Sequence, residues 1–416
     1  MSSSKKAGVL SFEEARHVVE QEAAKVGPSA SKKVPLSLSL GRVLAEPLLA
    51  DRDSPPFPRA TRDGYAVRAA DVARVPAALD VVGEIKAGVS DGVLPSVGAG
   101  QAASIMTGAP CPPGADAVVM VEYTSRAEDR VEIKRAIERG ENIVPTGAEA
   151  RAGAELVPKG TRLGPAAIGI AASVGKFELL VYKRPLVALL STGDEIVEVE
   201  MTPGPYQIRN SNSYSLAAQV LAASGKADIL TVAADEKEML RELIQEGSES
   251  DLLLLTGGVS MGKYDLVEEV LEELGAEFFF TGAQIQPGRP VVFGKIPATE
   301  SPREETYFFG LPGNPVSTMV TFELFAKPMI AALAGMNPEP LRFLHAKLKK
   351  DIKTKTGLKR FLPATLSGEF EQAEVELVPW QGSGDLAATA RANCYLVIPP
   401  DRETIAAGEW VAVLPR

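Results

Sequence analysis

The spacing of apolar residues changes character along this chain of 416 residues. It opens with an amphipathic helix, in which Ser11 as N-cap and Glu14 three residues on form a capping box. The helix is predicted to run to about Val26, where Gly27-Pro28 stops it. Proline-punctuated strands follow at 34–38 and 42–49, and then a rigid Pro-rich loop from Pro55 to Tyr65. From 66 to about 150 the chain reads as β, with strands at 77–85, 101–106, 117–121 and 130–133. These are short, separated by Gly and Pro and poor in helical period, which predicts a barrel-like or sandwich-like unit. One helix at 164–175, with Pro165 in its first turn, closes this half.

At Tyr182 the pattern switches. Continuous apolar runs at 186–190, 251–255 and 307–310, with a strand at 227–232, alternate with helices at 212–224, 236–245, 266–274 and 316–333. Buried strands alternating with helices predict a parallel sheet covered on both faces, a doubly wound α/β unit. Beyond Met336 short strands return at 341–348, 361–366, 375–377 and 395–397, as in a small C-terminal β-domain. There is no tandem repeat.

Length alone implies two to four domains, and 45% hydrophobic with 24% charged residues describes a folded protein. A net charge of −10 argues against nucleic acid as a partner, since that needs a positive surface. The first six residues carry no apolar segment behind them, and no uninterrupted apolar stretch approaches a membrane span. A cytoplasmic protein with no membrane partner is expected. The two histidines, His17 and His345, and the two distant cysteines, Cys111 and Cys394, nearly exclude a His/Cys zinc site or a Ser-His-Asp hydrolase. Chemistry must then fall to carboxylates, cations, hydroxyls and backbone amides.

Three of the apolar runs end in glycine-bearing loops: Ser191-Thr192-Gly193-Asp194-Glu195, Thr256-Gly257-Gly258-Val259-Ser260-Met261-Gly262, and Leu311-Pro312-Gly313-Asn314-Pro315. Ligands of open α/β sheets bind beyond the carboxyl ends of strands, and glycine lets backbone N–H groups approach a phosphate. Asp194, Glu195 and Asp265 put carboxylates beside that anion hole, which suggests a shared hard cation such as Mg²⁺. Lys263, Arg289 and Lys295 supply positive charge, with Arg289 held in the stiff turn Gln286-Pro287-Gly288-Arg289-Pro290. Taken singly, each loop reads as well as a tight turn; three at matching points of one sheet favour a site. Asp63 in Asp63-Gly64 reads as an Asx-type turn or a site residue, and Thr107 as a turn cap or an anion contact. The loop Gln381-Gly382-Ser383-Gly384-Asp385 leaves the same choice. Cys111 is either a reactive thiol or, more commonly for such a position, an incidental small residue.

Together these strings resemble one family in order. Asp63-Gly-Tyr-Ala, Met106-Thr-Gly-Ala-Pro, Gly140-Glu-Asn-Ile and Leu163-Gly-Pro-Ala come first. The three loops follow, with Asn210-Ser-Asn-Ser-Tyr between the first and second, then Gln381-Gly-Ser-Gly and Ala390-Arg-Ala-Asn. From about Phe12 to its end the chain resembles the molybdopterin molybdenumtransferases of MoeA type, related to the C-terminal domain of gephyrin. The resemblance implies a Mg²⁺-dependent enzyme that takes adenylylated molybdopterin, inserts molybdate at the dithiolene and releases AMP. It implies a homodimer with a site composed between subunits, served by a MogA-type adenylyltransferase and molybdoenzyme maturation factors. The implied plan is a discontinuous elongated linking domain at 12–50 and 151–181, an inserted β-rich domain at 51–150, a MogA-like α/β domain at 182–334 and a C-terminal small β-barrel at 337–416. By motif, Glu195 and Asp265 resemble the Mg²⁺ carboxylates, and Asp63 and Thr107 resemble residues contributed by the partner. Asp235 resembles a further acidic position of the α/β domain. Pro312 and Pro315 shape the third loop, while Arg360 and Ser383 resemble molybdate-side contacts.

The chain departs from that pattern where Ala60-Thr61-Arg62 replaces Ser-Ala-Met, and where Gly147-Ala148-Glu149 replaces Gly-Glu-Asp. A Lys-Pro-Gly-Lys-Pro turn becomes Gln286-Pro-Gly-Arg-Pro, losing one cation, and the stretch from Ile196 to Gln207 has no motif. The lost lysine bears on the choice between molybdate and tungstate. The alternatives are a gephyrin-like scaffold without turnover, against which Asp63, Thr107, Glu195 and Asp265 count, and an adenylyl transferase, against which the extra β-domains count.

Overall fold

Leu186–Ser191, Leu252–Thr256 and Glu305–Leu311 lie side by side and parallel in the middle of a six-stranded sheet. In this computed structural model, which describes residues 8–88, 93–258, 266–298 and 304–416, that sheet frames the site. Lys226–Ile229 adds a fourth parallel strand beside the first. Val292–Pro297 and Glu277–Phe280 extend the far edge antiparallel, so the sheet is mixed where an all-parallel one was expected. The central strands read as unbroken apolar runs because both their faces are buried. One face packs under Leu216, Val220, Phe325 and Ile330, the other under Leu240, Ile244, Val267 and Val270.

The helices of this unit are Asn212–Ala222, Lys237–Ser248, Leu266–Glu273 and the stretch Pro315–Leu333. That last stretch contains a π turn at Phe322–Ala326. It is long and apolar enough to cross a membrane, but 72% of it is buried inside the protein, as befits a core helix.

The N-terminal helix, Phe12–Ala23, has the expected capping box but ends before Val26. Its apolar face packs on the α/β core rather than on the strands of the linking segments: Phe12, Ala15 and Val19 share a core with Phe280 and Phe325. The Tyr307 hydroxyl also donates to Glu22 at 2.9 Å. Distance in sequence concealed this, since a helix can bury its stripe against any apolar surface the chain brings near.

Two strand pairs, Ser31–Pro35 with Glu178–Tyr182 and Leu48–Leu49 with Glu155–Val157, pack with the helix Pro165–Ser173 around Leu44, Leu163 and Val181. The expected strand at 34–38 lies three residues earlier, at Ser31–Pro35, because Leu36–Leu38 turns into a 3₁₀ helix after Pro35. A second six-stranded sheet runs in the order Ala117–Met120, Gly64–Val67, Gln101–Ile105, Ala77–Ile85, Arg130–Ile133, Thr124–Ala127. Tyr65 and Val67 enter one core and Ala66 another, the two-residue alternation of a strand. At the C-terminus Lys359–Ser367, Glu374–Leu377, Leu344–Leu348, Trp410–Pro415 and Cys394–Ile398 pair in succession, and the last pairs back to the first as a closed barrel.

Candidate functional site

Glycine decides how closely the three loops approach. At Gly257, with φ +92°, a Cβ would lie 2.3 Å from the Thr192 carbonyl oxygen; at Gly258, with φ +60°, it would lie 2.7 Å from Val267. No side chain fits there, so the second loop lies backbone-on-backbone over the first. The Thr192 N–H donates to the Thr256 carbonyl at 2.9 Å, continuing the strand pairing into the loops. Gly313 of the third loop faces Gly257, its nearest neighbour on that side.

One buried amide fastens the second loop to the third. Asn212, 6% exposed, donates through Nδ2 to Gly313 O at 2.7 Å and to Thr256 Oγ1 at 3.0 Å. A carbonyl only accepts, so this contact fixes which end of the amide is nitrogen. Its Oδ1, and the hydroxyl of Thr192 (2% exposed), are buried without a partner among the described residues. A buried polar atom left unpaired is costly, which marks both as positions suited to a ligand's polar groups.

The loops enclose a cavity of about 950 Å³. Thr192, Gly193, Glu195 and Asp235 line one side; Gly257, Gly258 and the run from Pro312 to Pro315 line the floor. The C-terminal barrel region reaches it through Gly384 and Leu386. Ser383 O accepts from the Val316 N–H at 3.0 Å, which seats this loop on the start of the helix. Asp194 does not line the cavity; its Oδ1 accepts from the Asp235 N–H at 3.0 Å and so sets where Asp235 sits. Partial burial first, then the charges of Asp194 and Glu195, raise the Asp235 carboxyl above its usual range.

The other expected residues lie elsewhere. Gln286 pairs in parallel with Arg360, and Pro290 alone of that turn reaches the cavity. Gly288 must stay small, because a Cβ would meet Thr321 at 2.4 Å. Pro287 is buried and Arg289 exposed beside it. Arg360 is only 7% exposed, bonded to Leu358 O at 3.1 Å, and loss of solvent lowers its pKa. Lys295, expected to serve the anion, is instead held between Glu277 and Glu305 at 3.3 and 2.8 Å on the antiparallel edge. Ser260, Gly262, Lys263 and Asp265 lie outside the described residues. Asp63 and Thr107 are bonded to each other on the second sheet and do not line the cavity. Burial pushes the Cys111 and Cys394 thiols each up to about 11, which disfavours the thiolate that a reactive cysteine needs.

The motif reading missed Ile208, Arg209 and Asn212 as cavity residues. Asn212 stands in the string Asn210-Ser-Asn-Ser-Tyr, which carries part of the resemblance but no assigned role, and Ile208 and Arg209 precede it with no motif of their own.

Curated relatives match this sequence over most of its length. Molybdopterin molybdenumtransferase of a Nostoc species is 36% identical over 90% of this chain and 86% of its own length. That of Bacillus subtilis is 34% identical over 92% and 89%. The chain belongs to the molybdopterin molybdenumtransferase family. Family models match along it in order: the MoeA N-terminal region, domains I and II, at 10–175; a probable molybdopterin binding domain at 188–332; and the MoeA C-terminal region, domain IV, at 345–415. A crystal structure of a molybdopterin biosynthesis MoeA protein from Pyrococcus horikoshii superposes with a TM-score of 0.76 at 29% identity, covering 98% of this chain and 100% of that one. A second such structure gives 0.71 at 33% identity, covering 98% and 99%. In this molybdopterin molybdenumtransferase family member, the three loops fall in the region matched as molybdopterin binding, whereas Asp63 and Thr107 fall in the N-terminal region.

Proposed function

We propose that the chain inserts molybdate into adenylylated molybdopterin and releases AMP, a Mg²⁺-dependent step of molybdenum cofactor synthesis. The observation that carries this reading is the cavity of about 950 Å³ beyond the strand ends in a member of this family. Backbone amides of the glycine loops receive phosphate oxygens, and the buried Thr192 hydroxyl and Asn212 Oδ1 pair with substrate groups. Arg360 and Ser383 hold the molybdate end. Arg360 suits that task as a largely buried guanidinium with a single carbonyl partner among the described residues, leaving most of its fork available.

The carboxylates fit a magnesium ion. No ready-made cage of three His, Cys, Asp or Glu side chains exists among the described residues. Mg²⁺ needs none, taking one or two carboxylates together with water and substrate phosphate. Asp235, raised first by partial burial and then by the charges of Asp194 and Glu195, sits where a cation would relieve the negative charge. Glu195 and Asp265 would hold the ion, whose chemistry is to neutralise phosphate oxygens during cleavage of the adenylate. Asp63 and Thr107 act in the cavity of a second subunit, a reading supported by their absence from the cavity of their own chain. The enzyme then works as a homodimer in the cytoplasm.

Incubation with adenylylated molybdopterin, molybdate and Mg²⁺ should release AMP, and chelation of Mg²⁺ should stop it. Release driven by tungstate but not molybdate would change the oxyanion. No release with either would leave a scaffold role instead.

A further inference from the structure

The arm between Ile196 and Arg209, which carries no recognisable motif, flanks the cavity. Its two short strands, Ile196–Val197 and Ile208–Arg209, run parallel. The Ile208 N–H donates to Glu195 O at 2.8 Å, and the Asn210 N–H donates to Val197 O at 2.9 Å. The arm is thus locked onto the first glycine loop, and it delivers Ile208 and Arg209 to the cavity wall.

Arg209 is the one cation among the described lining residues. Three carboxylates, Glu195, Asp235 and Glu269, line the same space, yet none is ion-paired with it. Glu269 is taken by Lys237 at 2.8 Å. The exposed guanidinium makes one hydrogen bond among the described residues, Nε to Met201 O at 3.0 Å. That bond uses the inner N–H and leaves the two terminal amino groups without a partner among the described residues. An arginine fixed at Nε with its outer fork unspent is pre-organised for bidentate contact with an oxyanion.

We infer that Arg209 is an oxyanion-binding residue of the cavity, gripping a phosphoryl group of the substrate or the incoming metal oxyanion. This rests on the function proposed above. The bound group then bridges Arg209 on the arm and the backbone amides of the glycine loops that line the same cavity.

The test compares wild type with Arg209→Gln and Arg209→Lys. Affinities for AMP and for molybdate are measured separately by calorimetry at low and high salt, beside kcat and KM for AMP release. For one of the two anions, Arg209→Gln should lose about ten- to a hundredfold in affinity, as for a charge-assisted bond. The Gln variant's remaining binding should depend less on salt, because the screened contact is gone. Arg209→Lys should recover part of the loss. Loss for AMP alone identifies the phosphoryl group, and loss for molybdate alone identifies the metal oxyanion. Unchanged affinity for both anions in a folded Arg209→Gln variant overturns the inference. So does a loss that leaves the salt dependence as in wild type, which would mean Arg209 only steadies the arm through Met201. Failure of the wild type to release AMP would count against the function itself, not against this assignment, because the anion titrations do not need turnover.

Discussion

One oxygen of the Asp63 carboxylate accepts from both the backbone N–H of Thr107, at 2.6 Å, and its hydroxyl, at 2.7 Å. The backbone bond first, then the hydroxyl bond, hold this exposed carboxyl below its ordinary pKa. Thr107→Val should remove one of the two, and the Asp63 pKa should rise toward the ordinary range in a carboxyl NMR titration. A depressed folded pKa adds stability that is complete above the unfolded pKa and is lost as pH falls through the folded one. In the variant the Asp63 part of the acid limb should therefore shrink, starting at the same unfolded pKa and ending at a higher pH than in wild type. An unmoved Asp63 titration would show that the hydroxyl contributes nothing.

Asp63 and Glu195 belong to different units, and only Glu195 lines the cavity. If each site takes Asp63 from one subunit and Glu195 from the other, Asp63→Asn and Glu195→Gln should each be inactive alone. Mixed after co-expression or subunit exchange, they should regain about a quarter of wild-type AMP release, because half the dimers are hybrids with one intact site each. No recovery in verified hybrids would mean that both residues serve one chain.

Gly257 tests the loop packing. Gly257→Ala puts a methyl group 2.3 Å from the Thr192 carbonyl at a φ of +92°. Backbone strain alone should cost about 1–3 kcal/mol, read from denaturant unfolding. The shifted loop should also lose AMP affinity. Wild-type stability and binding together would show that the loops do not need this approach.

Phe12 ties the N-terminal helix to both the α/β core and the barrel. Its ring lies 5.1 Å from that of Phe361 and 6.2 Å from that of Phe325. Phe12→Ala should destabilise the protein by about 3–5 kcal/mol in chemical denaturation, as for other buried aromatic truncations. A change within 0.5 kcal/mol would mean the helix is only loosely docked.

Local chemistry alone was enough for much of this protein. The unbroken apolar runs ending at Ser191 and Thr256, and the one ending at Leu311, required strands buried on both faces, and the Gly-bearing loops after them required close backbone approach. Those properties depend on periodicity and on φ, which each residue carries with it. Tertiary structure decided the rest, because it turns on which distant segments meet. It placed the helix Phe12–Ala23 on the α/β core, turned the strand Val292–Pro297 antiparallel to its neighbours, and gave Lys295 to Glu277 and Glu305 rather than to an anion. It also put Arg209 and Asn212 at the cavity, where their value comes from neighbours up to 101 residues away in the chain. No spacing rule encodes such a contact; only packing produces it.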